Sequence, residues 1–222
     1  MKRLVLIVEG ETEQGFVSGL LRPYMHASGI YNDIQCFKVK HSKGGMSKYR
    51  HIKADIVNTL YESDAVVTTM VDFYRLPSDF PGFASLVSYG THLARVEMLE
   101  RAWESDVLQS VGRVSGSFIP YIQLHEFEAL VFSSLTGFEE VFDRGEMNYK
   151  GLSEIVSGYP NPEDIDDGPD TAPSMRLKAL IPGYNKVLYG VGILKATGMD
   201  TLLSKCPHFK AWVEKLKQAI KE

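Results

Sequence analysis

Three hydrophobic runs in this chain each end on a carboxylate. Leu4 to Val8 stops at Glu9, Ala65 to Val71 stops at Asp72, and Phe118 to Leu124 runs through His125 into Glu126, with Glu128 two residues on. In a parallel sheet the carboxyl ends of all strands lie on one edge, so acids far apart in sequence can meet there. Carboxylates gathered in this way repel one another, and burying them unpaired costs several kcal/mol each. A divalent cation removes that cost. Oxygen donors without thiols or paired imidazoles suit Mg2+ or Mn2+ better than zinc. Such an ion activates water and stabilises both the attacking and the leaving oxygen in phosphodiester hydrolysis. The expected roles are Glu9 as metal ligand or general acid/base, Asp72 as metal ligand, and Glu126 or Glu128 completing the site.

The elements that must position these acids follow from the hydrophobic pattern. Leu4 to Val8 is apolar throughout, which predicts a strand buried on both faces. Gly10 permits a tight turn, and Thr12 with Glu13-Gln14 predicts the cap of a helix whose apolar positions are Phe16, Val17, Leu20 and Leu21. Pro23 and Ser28-Gly29 break that helix, and Ile34 to Val39 alternates as a second strand. Ala65 to Val71 predicts a third, β-branched and buried. A long amphipathic helix spans Thr91 to Gln109, with Leu93, Val96, Leu99 and Trp103 on its inner stripe. The fourth strand leaves two arrangements open. If a helix starts near His125, Glu126 and Glu128 point about 200° apart; if the strand persists, they share a face. Glu126, nearer the strand end, is the favoured partner.

Beyond Phe132, short helices separated by breakers are expected near Phe138 to Phe142, Tyr149 to Val156, Ala172 to Leu180, Tyr184 to Thr197 and Phe209 to Ile220. The fold class is therefore α/β, Rossmann-like, with a mainly parallel sheet flanked by helices. Residues 1–135 form the core and 136–222 a helical portion packed on it, as one compact unit. Glu163, Asp164, Asp166, Asp167 and Asp170 crowd one stretch without any metal-binding spacing, which predicts a solvated loop with capping duty.

Charge and composition narrow the partners. The net charge is −4, so attraction to nucleic acid has to come from a local patch. One candidate runs from Lys38 to Lys53, six cations without an acid, broken by Gly44-Gly45; it is either a solvated face or a patch in which Lys43, Lys48 and Arg50 hold a DNA or RNA backbone. The aromatic and proline-rich loop from Phe73 to Gly82 either packs on the domain or covers the site. No apolar run reaches the roughly 18 residues of a membrane span, and two cysteines without a Cys-x-x-Cys give no disulfide framework, so the cytoplasm is the expected address. Motifs of other chemistries fail. Gly10 to Gly15 has P-loop spacing, but Phe16-Val17 stand where Lys and Ser/Thr are needed. His125-Glu126 lacks the second histidine of a zinc protease, since Ala129 occupies its place, and no Gly-x-Ser-x-Gly elbow is present.

These residues resemble the Toprim fold, shared by topoisomerases, bacterial primases and the overcoming-lysogenization-defect nucleases. There a hydrophobic strand ends in glutamate and a later strand ends in Asp-x-Asp. Val8-Glu9-Gly10-Glu11-Thr12-Glu13 is similar to the first part as the nucleases carry it, which implies Glu13 as a further metal ligand. Val71-Asp72-Phe73-Tyr74 matches half of the second part, with Tyr74 in place of the second aspartate. Nearly the whole chain also resembles the bacterial family called domain of unknown function 4276. That likeness runs through Val8 to Glu13, Thr68 to Tyr74, Ile119 to Phe132, Asp167 to Ser174 and Ile181 to Tyr184. The resemblance implies a Toprim-type core, a Mg2+- or Mn2+-dependent nuclease in a phage-defence setting and a partner ATPase. Its rival is a non-catalytic module that docks such an ATPase, with Tyr74 as the signature.

Overall fold

Among the described residues, five parallel strands carry the fold. Arg3–Val8 (β1) pairs on one side with Ile34–Lys38 (β2) and on the other with Ala65–Asp72 (β3), and β3 pairs in turn with Ser117–Ile119 (β4) and Ile122–Gln123 (β5). The order is β2-β1-β3-β4, with β5 continuing along β3. This computed structural model describes residues 2–40, 48–62, 64–166, 168 and 170–221.

Side chains of β1 and β3 alternate between two apolar layers, as a period of two requires. Leu4, Leu6, Val8, Val66 and Met70 face a large layer, while Val5, Ile7, Val67 and Val71 face a smaller one. Helices Tyr49–Leu60 (α3) and His92–Ser110 (α4) cover the smaller layer through Ile52, Ile56, Val96, Leu99 and Trp103. Thr91 caps α4 by accepting Ala94 N–H at 3.1 Å. Leu93, expected on the inner stripe, is 40% exposed, because it sits in the first turn before the helix meets the sheet.

On the larger layer the first helix differs from expectation at both ends. Glu11–Phe16 (α1) is entered from Gly10 without a side-chain cap, and Thr12 lies inside the helix with no partner for its hydroxyl among the described residues. Pro23 does not end the helix. A π-helical stretch over Val17–Leu21 leads without a break into Arg22–Ala27 (α2), and this widened turn just before Pro23 alters the i→i−4 ladder where the proline has no N–H to give.

The expected fourth strand is split at Pro120, which offers the ladder no N–H. Thr69 bridges the gap: its hydroxyl lies 3.0 Å from Tyr121 N and 3.1 Å from Tyr121 O. The remaining helices are Leu135–Glu139 (α5), Tyr149–Gly158 (α6), Pro173–Leu180 (α7), Val191–Thr197 (α8), Met199–Lys205 (α9) and Pro207–Lys221 (α10). The expected helix from Tyr184 to Thr197 is a π-helical turn, Lys186–Gly190, followed by α8, and α9 has no counterpart in the sequence reading.

These helices close the larger layer. Phe209, Trp212, Val213, Leu216 and Ile220 of α10 pack against it, and Trp212 Nε1 donates to Thr68 Oγ1 of the central strand β3 at 2.8 Å. Glu163 is not solvated as the acid-rich stretch suggested. It is buried and accepts the N–H groups of His208 and Phe209 at 2.9 and 3.0 Å, capping α10. Asp166 accepts Gly168 N and the Thr171 hydroxyl, and Asp167 lies outside the described residues.

Helices α5 and α8 approach so closely that a Cβ at Gly137 would stand 2.6 Å from the Ile193 carbonyl oxygen and 2.3 Å from Thr197 Oγ1. Gly137→Ala therefore overpacks a contact that includes backbone. It is expected to cost about 1–3 kcal/mol in denaturant unfolding, and an unchanged midpoint would refute the close contact.

Candidate functional site at the carboxyl edge of the sheet

The register of β1 on β3 pairs Val8 with Met70, so Glu9 emerges level with the end of β3. Its Oε1 accepts the backbone N–H of Asp72 at 3.1 Å. Asp72 is the last residue of β3, is buried, and its Oδ1 accepts Phe127 N–H at 2.8 Å. The two acids expected to converge are thus neighbours.

Neither arrangement foreseen after Leu124 occurs. His125 adopts a left-handed backbone, φ 60°, Glu126 is extended, and a 3-10 helix runs over Phe127–Ser133. That kink divides the two acids. Glu126 Oε2 accepts Ser174 N–H at the start of α7, 2.9 Å away, whereas Glu128 Oε1 lies 3.5 Å from Lys186 Nζ. Glu128 is among the charges that act on Asp72, and Glu126 and Glu128 both line the cavity that Asp72 lines. Glu13 is buried in the first turn of α1, and a Cβ at Gly10 would stand 3.0 Å from its Oε2.

Burial raises the carboxyl of Glu9 to about 7; the charge of Glu13 adds to this, while the Asp72 N–H, Arg75 and Lys186 act against it. Burial likewise lifts Asp72 well above the usual carboxylate range, with the charges of Glu9, Glu128 and Glu13 in the same direction. Glu128 is raised mainly by burial, against the pull of Lys186. Burial disfavours the charged form of Lys186, but Glu128, Glu13 and Asp72 outweigh it and its ammonium is held more firmly than usual.

A cavity of about 330 Å³ opens here. Asp72, Glu126 and Glu128 line it together with Arg75, Lys178 and Lys186. A larger hollow, about 480 Å³, lies beside β4 near Glu100, Arg101 and Lys215, away from the strand ends where the buried acids meet. The smaller cavity is the candidate site.

Among the described residues the cations that line it are Arg75, Lys178 and Lys186. Lys43 lies outside the described residues; Lys48 and Arg50 are exposed at the start of α3 and do not line the cavity. Sequence reasoning missed Arg75, Lys178 and Lys186. Arg75 had a signal, three residues after Asp72, whereas Lys186 follows the Ile181 to Tyr184 stretch with no pattern of its own.

The donor set fits a hard divalent cation in kind, being carboxylate without thiol. Among the described residues no three His, Cys, Asp or Glu side chains stand in a ready-made ligand sphere. Backbone N–H groups and Lys186 occupy one oxygen each of Glu9, Asp72, Glu126 and Glu128. Lys186 thus competes with any metal. Lys186→Met is expected to tighten Mn2+ binding about tenfold by calorimetry, since roughly 1.4 kcal/mol of like-charge repulsion goes with the ammonium. Weaker binding would show instead that the lysine supports the metal.

Among the described residues no helix is long and apolar enough to cross a membrane. A family model described as "Domain of unknown function (DUF4276)" matches residues 8–217. No curated protein and no solved structure matches the chain.

Proposed function

For this chain, which belongs to the DUF4276 family, we propose a Mg2+- or Mn2+-dependent nuclease of Toprim type that hydrolyses phosphodiester bonds in DNA or RNA. The observation that carries the reading is the meeting of Glu9 and Asp72 at the ends of adjacent parallel strands, with Glu13 close enough to act on both and Glu128 on Asp72. Four acids with so little solvent favour a cation strongly.

Glu9, Glu13, Asp72 and Glu128 would hold the metal, which supplies an activated water and charge neutralisation at the phosphate. Arg75, Lys178 and Lys186 bind and orient the phosphate through charge-assisted hydrogen bonds. Glu9, with its carboxyl near 7, can take up or release a proton at Oε2 under neutral conditions, as general acid/base work requires. The Phe127 N–H on Asp72 fixes that carboxylate in place.

Two observations favour a second reading, a non-catalytic module that docks a partner ATPase. Tyr74 stands where Toprim enzymes carry a second aspartate, and Lys186 supplies a built-in positive charge beside the acids. Incubating the purified chain with supercoiled plasmid and with RNA, in Mg2+ or Mn2+, separates the readings. Nicked or fragmented product is expected; intact substrate under both ions would overturn the nuclease and leave the docking module.

A further inference from the structure

We propose that the acid cavity receives an unpaired nucleotide, so that the substrate class is single-stranded or locally melted nucleic acid. This deepens the nuclease reading and rests on it. Three features point the same way.

First, the acids are recessed. Asp72 is 8% exposed and Glu128 3%, and the cavity they line holds about 330 Å³. Pockets for small molecules span roughly 300–1,000 Å³, so this one has room for a nucleotide-sized group. A duplex is a convex cylinder whose major groove alone is about 12 Å wide, and it cannot bring a phosphate down to side chains so deeply covered.

Second, cations and acids share the cavity lining. Arg75, Lys178 and Lys186 can hold a backbone phosphate within reach of the carboxylates.

Third, large apolar side chains are exposed next to cavity residues in the chain. Val187 and Leu188 follow Lys186 on the same π-helical turn, Met175 follows Ser174, and Tyr74 precedes Arg75; Leu188 is 66% exposed and Tyr74 52%. These four are a large share of the exposed large hydrophobic residues among those described, which also include Tyr31, Tyr61, Val87, Leu93 and Leu108. Exposed apolar and aromatic groups beside a cationic groove are what an unstacked base packs on. In a duplex the base faces are hidden in the stack, so these residues would find nothing to contact.

The test measures binding of the full chain to fluorescent oligonucleotides by anisotropy, with Ca2+ replacing Mg2+ so that strands stay intact. A thymidine oligomer, an abasic strand of equal length and a blunt duplex are compared. The single strand is expected to bind about tenfold tighter than either of the others. Tyr74→Ala and Leu188→Ser should erase that advantage without moving the melting temperature, since both residues are exposed. Equal affinity for strand and duplex, or for abasic and thymidine strands, would overturn the proposal, as would variants that keep the advantage. If the chain cleaves duplex plasmid without strand preference, this inference fails and the nuclease stands. If it neither binds nor cleaves nucleic acid, both fail.

Discussion

Asp72→Asn and Glu9→Gln are each expected to lower the proposed cleavage by roughly 10³-fold, the scale that follows when a metal ligand or general acid/base is removed. Both substitutions keep shape and one acceptor oxygen. Asparagine at 72 still accepts the Phe127 N–H, and glutamine at 9 still accepts the Asp72 N–H, so the sheet edge stays in register. What is lost is negative charge where the cation is expected. Plasmid or RNA cleavage in Mg2+, alongside circular dichroism to show the fold intact, measures the effect. Either variant cutting at the parent rate would remove these residues from the site.

The same acids should make the metal-free protein less stable as pH rises. Glu9 is near 7 in the folded chain against an ordinary value of 4.5, so between those pH values the native state holds a proton that the unfolded chain has released. Its contribution is therefore most favourable below about 4.5 and is lost as pH climbs through 7. Asp72 and Glu128 shift in the same direction and add to it. The neighbouring charges are Glu13, which reinforces the effect, and Arg75 and Lys186, which reduce it. For Glu9 alone the loss is on the order of 3 kcal/mol, or roughly 6–12 °C in melting temperature for a chain of this size.

His208, paired with Glu100 at 3.2 Å and raised above its ordinary value, loses stability in the same direction at neutral pH, so the parent profile alone does not isolate the site. The comparison with Glu9→Gln does. Calorimetry in chelator should show the parent melting lower at pH 8 than at pH 5, with the slope reduced in the variant and in saturating Mg2+, which binds the ionised form. Parallel profiles for parent and variant would mean that Glu9 is not strained by burial.

Much of this arrangement is readable from the residues, and the physical reason is burial. Strands β1 and β3, buried on both faces, leave runs of apolar and β-branched residues, and the first acid after each run marks the edge of the sheet. The parallel topology follows from the helices between them. Legibility ends where one residue's backbone decides the outcome. No side-chain pattern announces the left-handed His125 that turns Glu126 to Ser174 and Glu128 to Lys186. The break at Pro120 was visible as a proline, yet its repair by the Thr69 hydroxyl depends on a pairing 52 residues away. Lys186 was harder still, since it reaches the acids only because α1 and the turn Lys186–Gly190 pack together.

That late contribution has a consequence for synthesis. The acids at Glu9, Glu13, Asp72 and Glu128 all precede the segment that carries Lys178 and Lys186. A growing polypeptide therefore assembles the acids and Arg75 first and gains Lys178 and Lys186 only when translation has passed the π-helical turn. Until then the pocket lacks two of its three lining cations, and a fragment trimmed before α7 would be left with acids that repel one another and Arg75 alone to grip a phosphate.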